Sequence, residues 1–118
     1  MRIVIRLLIT AWLVIGSAFA FSPSEPSLRE IALNDLPHEA HQTLQIIKRG
    51  DPFPYVRDGA TFGNFEKRLP IRPRGYYHEY TVPSPWRRDR GPRRIIRGDA
   101  GEYFYTADHY RTFRRITE

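Results

Sequence analysis

No cysteine occurs among the 118 residues. Disulfides, thiol nucleophiles and cysteine-based metal sites are therefore excluded, and the fold must be held together by packing alone. The sequence also has no internal repeat and no phosphate-binding glycine loop of the nucleotide-hydrolase kind. His38 and His41 are three residues apart, but no evident carboxylate or cysteine completes a set of ligands. We therefore predict no metal site and no cofactor.

No apolar run is long enough to cross a membrane, which takes about 20 residues. The main one, Leu7–Ile15, follows Arg2 and Arg6 and precedes the small residues of Ala18-Phe19-Ala20. This pattern is typical of a secretory signal peptide. We predict that residues 1–20 are removed after Ala20, and that the mature protein is extracellular or periplasmic without stable membrane association.

Residues 21–118 remain after this cleavage, a length that suits one small domain. Phe21–Ser27 contains two prolines and three serines, so we expect a flexible tail over residues 21–30 and a folded domain over residues 31–118. Loss of the two signal-peptide arginines lowers the formal net charge from +6 to about +4.

Arginine dominates the segment from Arg72 to Arg97, which has eight arginines, no lysine and only two acidic residues. The planar fork of arginine donors matches phosphate oxygens two at a time, whereas lysine is a point charge. Four aromatic residues are interleaved with these arginines: Tyr76, Tyr77, Tyr80 and Trp86. Because bases stack on aromatic rings, the pattern favours nucleic-acid binding over the alternative of a solvated, solubilising face.

One helix followed by several strands is the order of an α+β fold. The helix is predicted from Pro37 to about Arg49, since proline suits a first turn and Gly50 marks the end. Its apolar stripe consists of Ala40, Leu44 and Ile47. Strands are predicted at Ile31–Leu33, Tyr76–Val82, Arg93–Arg97, Tyr103–Thr106 and Tyr110–Ile116.

The C-terminal third contains a carboxylate, two arginines and a histidine in strand-like surroundings: Glu79, Arg90, Arg94 and His109. Cleavage of a phosphodiester needs a base, an acid and fixed positive charge around the phosphorus, and these side chains can fill those roles. Taken singly, each is more typical of a structural position, such as an ion-paired glutamate or a turn histidine.

Strand parity brings two of these side chains together. Tyr77, Glu79 and Thr81 share one face, because side chains alternate along a strand. If Arg94 and Ile96 point to the same side of a neighbouring strand, the carboxylate and an arginine meet on one surface of the sheet.

Seven motifs follow one another between residues 51 and 113: DPFPY, DG, F-x-N-x-E, LP, GYYHEYTV, RGxRRII and TxDHYxTF. In their order and spacing, residues 36–116 resemble the guanyl-specific extracellular microbial ribonucleases, the family that includes barnase. The resemblance implies a helix packed on an antiparallel sheet of about five strands, with RNA lying across the concave face of the sheet.

The resemblance also implies a role for each member of the set. Glu79 corresponds to the general base, His109 to the general acid, and Arg90 and Arg94 to the arginines that hold the scissile phosphate. Single-stranded RNA would be cut 3′ of guanosine to a 2′,3′-cyclic phosphate, which is then hydrolysed to the 3′-phosphate. An ionised base and a protonated acid, in side chains that ordinarily titrate near ~4.3 and ~6.5, predict a bell-shaped pH profile with its maximum at mildly acidic pH.

The loop from Phe62 to Glu66 resembles the guanine pocket of this family. Glu66 would accept from guanine N1–H and N2–H, Asn64 and Phe65 would give backbone donors, and Phe62 and Tyr110 would stack on the base. Phe65 departs from the family, in which members such as barnase carry an arginine, so a positive charge is lost. The arginine run that begins at Arg87 and Arg88 is a candidate for its compensation.

RNA is the predicted partner, and the protein is expected to be a monomer. Two alternatives stay open from the sequence. One is an RNA-binding module without turnover, although such a protein has no need of both acid and base. The other is the same ribonuclease acting as an antibacterial toxin, held in check by a barstar-like inhibitor protein.

Overall fold

The computed structural model describes residues 28–118, and the predicted signal peptide and residues 21–27 of the predicted tail lie outside this range. Eight elements follow in order: β1 (Arg29–Ala32), a 3₁₀ helix (Leu33–Asp35), α1 (His38–Arg49), β2 (Thr61–Phe62), β3 (Tyr77–Thr81), β4 (Arg94–Gly98), β5 (Tyr103–Thr106) and β6 (Arg114–Thr117). The predicted α+β class is confirmed. Over residues 28–118, no helix combines the length and the apolar character that a membrane span requires.

Helix α1 follows Pro37 and stops at Gly50, as the sequence predicts. Gly50 has a left-handed backbone (φ 72°), and its N–H donates to the carbonyl of Ile46 at 3.0 Å. A residue without a Cβ adopts this conformation at little cost, which ends the helix cleanly. The predicted stripe is buried against the sheet: Ala40, Leu44 and Ile47.

The sheet has six strands in the order β1-β6-β5-β4-β3-β2. Strand β1 runs parallel to β6, and every other neighbouring pair is antiparallel. The expected sheet of about five antiparallel strands therefore gains β2, whose two residues are too few to show a periodicity in the sequence.

Strands β1 and β6, which are neighbours in the sheet, each correct a predicted boundary. The tail was expected to reach residue 30, but Arg29 and Glu30 pair with Arg114 and Arg115 of β6 and so belong to the folded domain. The last strand was expected to begin at Tyr110, but it begins at Arg114. Tyr110 has a φ of 73°, and a left-handed backbone cannot continue a strand.

The two faces of the sheet carry different cores. The face toward α1 holds Tyr80, Ile95 and Tyr105 together with the buried residues of the helix. The opposite face holds a smaller cluster: Leu69, Tyr77, Ile96, Phe104 and Phe113. Loops cover only part of this second face, and the candidate site lies there.

Candidate active site

Glu79 and Arg94 lie on the face of the sheet that points away from α1. In the antiparallel register, Glu79 is opposite Ile96 and Thr81 is opposite Arg94. The parity expected from the sequence is therefore confirmed. Glu79 is 6% exposed and Arg94 is 3% exposed, so two charged side chains are buried next to each other. Burial of a charge is costly unless the group is paired, and both are held by hydrogen bonds.

Arg90 reaches this face from the loop before β4. Its Nη2 donates to Oε1 of Glu79 at 3.0 Å, and its Nε donates to Oγ1 of Thr81 at 2.9 Å. Two contacts to neighbouring strand positions fix the guanidinium plane over the carboxylate. Arg90 thereby supplies both the positive charge beside Glu79 and a constraint on its orientation.

Arg94 is anchored through one end of its guanidinium group. Its Nη1 donates to the carbonyls of Gly91 and Arg93, each at 2.8 Å. Its Nε is buried and has no hydrogen-bond partner among residues 28–118. Unsatisfied buried donors are uncommon and cluster at functional sites. Arg94 therefore lines the hollow with a guanidinium group whose Nε donor is not used by any described residue.

His109 is presented by the loop between β5 and β6. It is exposed, its backbone is left-handed (φ 55°), and its N–H donates to the carbonyl of Pro92 at 3.0 Å. Asp108 fastens the loop, since it accepts from the backbone and hydroxyl of Thr112 and from the hydroxyl of Thr106. The strained backbone is held by the surrounding hydrogen bonds, and the imidazole lies with its centre 4.7 Å from that of the Tyr110 ring.

The ionisation of Asp108 agrees with its anchoring role. Partial burial tends to raise the pKa of this carboxyl, but the hydrogen bonds from Thr112 and Thr106 outweigh burial and hold the pKa below its ordinary value. The charged form is therefore the one that the folded loop favours.

Three of the four predicted catalytic residues surround one hollow of about 460 Å³. Arg90, Arg94 and His109 line it, together with Arg87, Asp89 and the Gly91-Pro92 turn. We call it the phosphate hollow. Glu79 contacts Arg90 and lines a second hollow of about 260 Å³, the base hollow, which is formed with the loop Thr61–Glu66. The structure thus brings together all four side chains that the sequence singled out.

Asn64 shapes the wall of the base hollow. Its backbone is left-handed (φ 52°), its amide donates to the carbonyl of Leu69 at 2.9 Å, and its carbonyl oxygen accepts from the N–H of Leu69 at 3.1 Å. The side chain is therefore occupied in closing the loop. Only the backbone of this residue is left to face a ligand, which agrees with the predicted backbone donor.

Glu66 lies at the rim of the base hollow beside Arg68. The Nη2 of Arg68 is 3.1 Å from Oε2 of Glu66, and its Nη1 donates to the carbonyl of Tyr110 at 2.9 Å. Arg68 thus joins the loop that carries Glu66 to the loop that carries His109. Arg68 was not predicted from the sequence, where its only signal is a basic side chain two positions after the predicted acceptor.

Phe62 and Tyr110 stack on each other in this structure, with ring centroids 5.0 Å apart and planes at 29°. Both were predicted to stack on a base. They line the base hollow together, but a base inserted between them needs a separation of about 7 Å, twice the usual stacking distance. Burial and the negative charge of Glu79 raise the pKa of Tyr110, whereas Arg94 acts in the opposite direction.

Phe65 is 81% exposed and lies over Gly63. The guanidinium carbon of Arg74 is 5.8 Å from the centre of its ring. A positive charge is therefore present beside the position at which the resemblance would place an arginine side chain, although it comes from another part of the chain.

Three comparisons relate this chain to known proteins. A model of the ribonuclease family matches residues 22–117. Guanyl-specific ribonuclease St of Saccharopolyspora erythraea is 54% identical over 72% of this chain and 84% of its own length. Guanyl-specific ribonuclease Sa of Kitasatospora aureofaciens is 52% identical over 75% of this chain and 93% of its own length.

Solved structures of ribonuclease Sa2 share the fold. One, of complexes with mononucleotides, has a TM-score of 0.77 and 45% identity, and covers 79% of this chain and 97% of that chain. Another, with guanosine-2′-cyclophosphate, has a TM-score of 0.74 at the same identity and covers 77% and 97%. Since the family model spans most of the chain and relatives above 50% identity are covered over most of their length, this chain belongs to the guanyl-specific microbial ribonucleases.

Proposed function

We propose that the mature protein is a secreted endoribonuclease that cuts single-stranded RNA after guanosine without a metal ion. The observation that carries the proposal is the ion pair of Glu79 with Arg90, which links the base hollow, lined by Glu79, to the phosphate hollow, lined by Arg90, Arg94 and His109. The complexes of ribonuclease Sa2 with guanosine-2′-cyclophosphate and with 3′-GMP support it, since these are the products that such a reaction forms.

The first step is a transesterification. Glu79 takes the proton of the ribose 2′-OH, and the resulting oxygen attacks the phosphorus in line. The bond from phosphorus to the 5′-oxygen of the next nucleotide breaks, and protonated His109 gives its proton to that oxygen. A 2′,3′-cyclic phosphate remains, and DNA is no substrate because it has no 2′-OH.

The second step hydrolyses the cyclic ester by the reverse sequence of proton transfers. His109, now neutral, takes a proton from water, and the water oxygen attacks phosphorus. The bond to the 2′-oxygen breaks, and Glu79 returns its proton to that oxygen, which leaves a 3′-phosphate. Arg90 and Arg94 stabilise the phosphoryl oxygens in both steps, because their guanidinium groups are fixed before substrate arrives.

Guanine is selected in the base hollow. The carboxylate of Glu66 accepts from N1–H and N2–H, the backbone at Asn64 and Phe65 donates to the base, and the separated rings of Phe62 and Tyr110 cover its faces. Adenine has no N1–H donor and presents an amino group in place of O6. Polar groups would then be left unpaired on both sides, which costs far more than a lost contact.

Digestion of GpU and ApU in the presence of a chelator tests this proposal. We expect guanosine 2′,3′-cyclic phosphate from GpU and no comparable product from ApU. Glu79→Gln should lower kcat by at least 100-fold, within the range that general-base catalysis contributes. Equal rates for the wild type and Glu79→Gln would reject the mechanism, and binding without turnover in both would favour the RNA-binding module.

Export is proposed from the sequence of residues 1–20. Expression of the full chain in a secreting host should release a protein whose N-terminus is Phe21, as read by mass spectrometry of the intact protein. A monomeric state and a barstar-like inhibitor remain predictions of the resemblance.

A further inference from the structure

A third hollow, of about 230 Å³, lies on the far side of the guanine loop. It is lined by Gly63, Asn64, Phe65, Lys67, Ile71 and Arg72. Two of its side chains are large, apolar and unusually exposed, with Phe65 at 81% and Ile71 at 65%. The proposed reaction at the phosphate hollow and the base hollow uses neither side chain.

The ring of Phe65 lies against the backbone of Gly63. A Cβ built on Gly63 would be 2.5 Å from two atoms of this ring, closer than real Cβ contacts. Gly63 has no positive φ that would require glycine. The absence of a Cβ at Gly63 therefore lets the ring of Phe65 approach the backbone of the loop in this structure.

The surroundings of the ring are positively charged. The guanidinium carbon of Arg74 is 5.8 Å from the ring centre, and Lys67 and Arg72 line the hollow. The nearby acid, Glu66, is paired with Arg68. An exposed aromatic ring flanked by cations is the combination that binds single-stranded nucleic acid, with the base on the ring and the phosphate near the cations.

The base hollow connects the other two hollows. The base hollow shares Gly63, Asn64 and Phe65 with the third hollow, and it contains Glu79, which contacts Arg90 of the phosphate hollow. No lining residue is common to the phosphate hollow and the third hollow. When guanine occupies the base hollow and the scissile phosphate, 3′ of guanosine, occupies the phosphate hollow, the third hollow lies on the side of the base hollow away from that phosphate and is open to the 5′ neighbour.

We propose that the third hollow is a subsite for the nucleobase immediately 5′ of guanosine, stacked on the ring of Phe65, with Arg74 near the intervening phosphate. The subsite depends on the proposed function for its orientation, since guanosine must occupy the base hollow. In this proposal, the aromatic side chain at position 65 binds RNA by stacking. The change from arginine to phenylalanine then adds a contact as well as removing a charge.

Three substrates distinguish the contribution of the 5′ base from that of the phosphate that joins it to guanosine. They are GpU, ApGpU, and a trinucleotide in which the 5′ residue is abasic. We expect kcat/KM of the wild type to be at least about fivefold higher for ApGpU than for the abasic substrate, the size of a weak base–aromatic stack. Phe65→Ala and Gly63→Ala should reduce this ratio to below twofold, and Phe65→Trp should preserve it. Phe53→Ala, which removes a ring outside the hollow, is the matched control and should leave it unchanged.

The ratio is taken within each variant, so an effect of Phe65 on guanine binding cancels. Arg74→Gln should instead reduce the advantage of the abasic trinucleotide over GpU. A ratio near one in the wild type, or a ratio that persists in Phe65→Ala, would overturn the subsite. If GpU itself is not cleaved, the proposed function fails separately. The ratio of the affinities of Glu79→Gln for ApGpU and for the abasic trinucleotide then measures the preference for a 5′ base without turnover. The same fivefold and twofold limits apply to this ratio.

Discussion

At the scale of single residues, the site depends on side chains that hold other side chains in place. Arg90 is fixed by Glu79 and Thr81, and the loop that presents His109 is fixed by Asp108. These supporting contacts place the proposed base, the proposed acid and the phosphate-binding arginines before substrate arrives. Positioning of this kind accounts for a large part of the rate in many enzymes.

Asp108→Ala should lower kcat for GpU by about 10-fold or more, because a small displacement of the proposed acid costs much of its rate. KM should change less, since the proposed hydrogen bonds to guanine come from the loop Phe62–Glu66 and only the stacking ring of Tyr110 belongs to the loop of Asp108. The measurement is steady-state cleavage, with Asp99→Ala as a control carboxylate in an exposed turn. A normal kcat in Asp108→Ala would show that the backbone contact of His109 to Pro92 is sufficient.

Asp89 makes the free energy of unfolding depend on pH in the acidic range. Hydrogen bonds from Arg87 and from the N–H of Gly91 lower its pKa to about 2. Because the folded pKa lies below that of the unfolded chain, the ionised form stabilises the fold. This contribution is complete above about pH 5 and is lost as the pH falls toward about 2.

The test compares urea unfolding of the wild type and of Asp89→Asn at several values between pH 5 and pH 2. The variant should lose less stability over this interval than the wild type. Asp99→Asn serves as the exposed control and should follow the wild type. Parallel curves for wild type and Asp89→Asn would contradict the linkage.

At the scale of elements, helix α1 supports the sheet from behind the site. Thr43 donates to the carbonyl of Thr81 at 3.1 Å, which ties the helix to the strand that carries Glu79. Glu39 of the same helix pairs with Arg93 at 3.0 Å, next to Arg94 in sequence. Helix α1 therefore contacts Thr81 and Arg93, which are close in sequence to the proposed site residues Glu79 and Arg94.

Leu44→Ala should destabilise the protein by about 2–5 kcal/mol, because the side chain is 3% exposed and the cavity would form between helix and sheet. Gln45→Ala, one position further along the same helix but exposed, should change stability by less than about 0.5 kcal/mol. Urea unfolding at 25 °C measures both. Equal effects would mean that the helix does not pack through this stripe.

At the scale of the whole molecule, the excess of arginine predicts attraction of RNA from a distance and a dependence on salt. The arginine run proposed to replace the charge missing at Phe65 is not uniform. Arg87 is neutralised by Asp89 through contacts of 2.8 and 3.0 Å, whereas Arg88 is exposed. Arg74, beside Phe65, is the nearer source of positive charge.

Arg88→Ala should therefore reduce the slope of log(kcat/KM) against log[salt] by up to about 0.7, the contribution of one phosphate contact on a single strand. Arg87→Ala should change the slope less, because the guanidinium of Arg87 is already paired with Asp89 and holds no phosphate that the substitution would release. Cleavage of a long RNA from low to moderate salt gives both slopes. Wild-type slopes in both variants would reject compensation by this run.

Local patterns account for the parts of the fold that were predicted well. Proline, an apolar stripe and glycine predict the ends of α1 to within one residue, because the end of a helix depends on residues that are adjacent in the sequence. The last strand was placed too early, since the residue types at 110–116 do not reveal that the backbone of His109 and Tyr110 is left-handed and that Asp108 binds Thr112 across the loop. Strand β2 was missed because its pairing with β3 depends on residues distant in sequence.

The amino-acid sequence by itself determined the chemistry available to this protein: a carboxylate, a histidine, many arginines and no thiol. It also determined the fold class, because periodicity and turn residues act locally. Which of these side chains meet depends on how the chain folds. The register of β3 and β4 buries Glu79 beside Arg94, and the loop contacts join Arg68 to both walls of the base hollow. Such contacts depend on how distant segments pack, which no local pattern encodes.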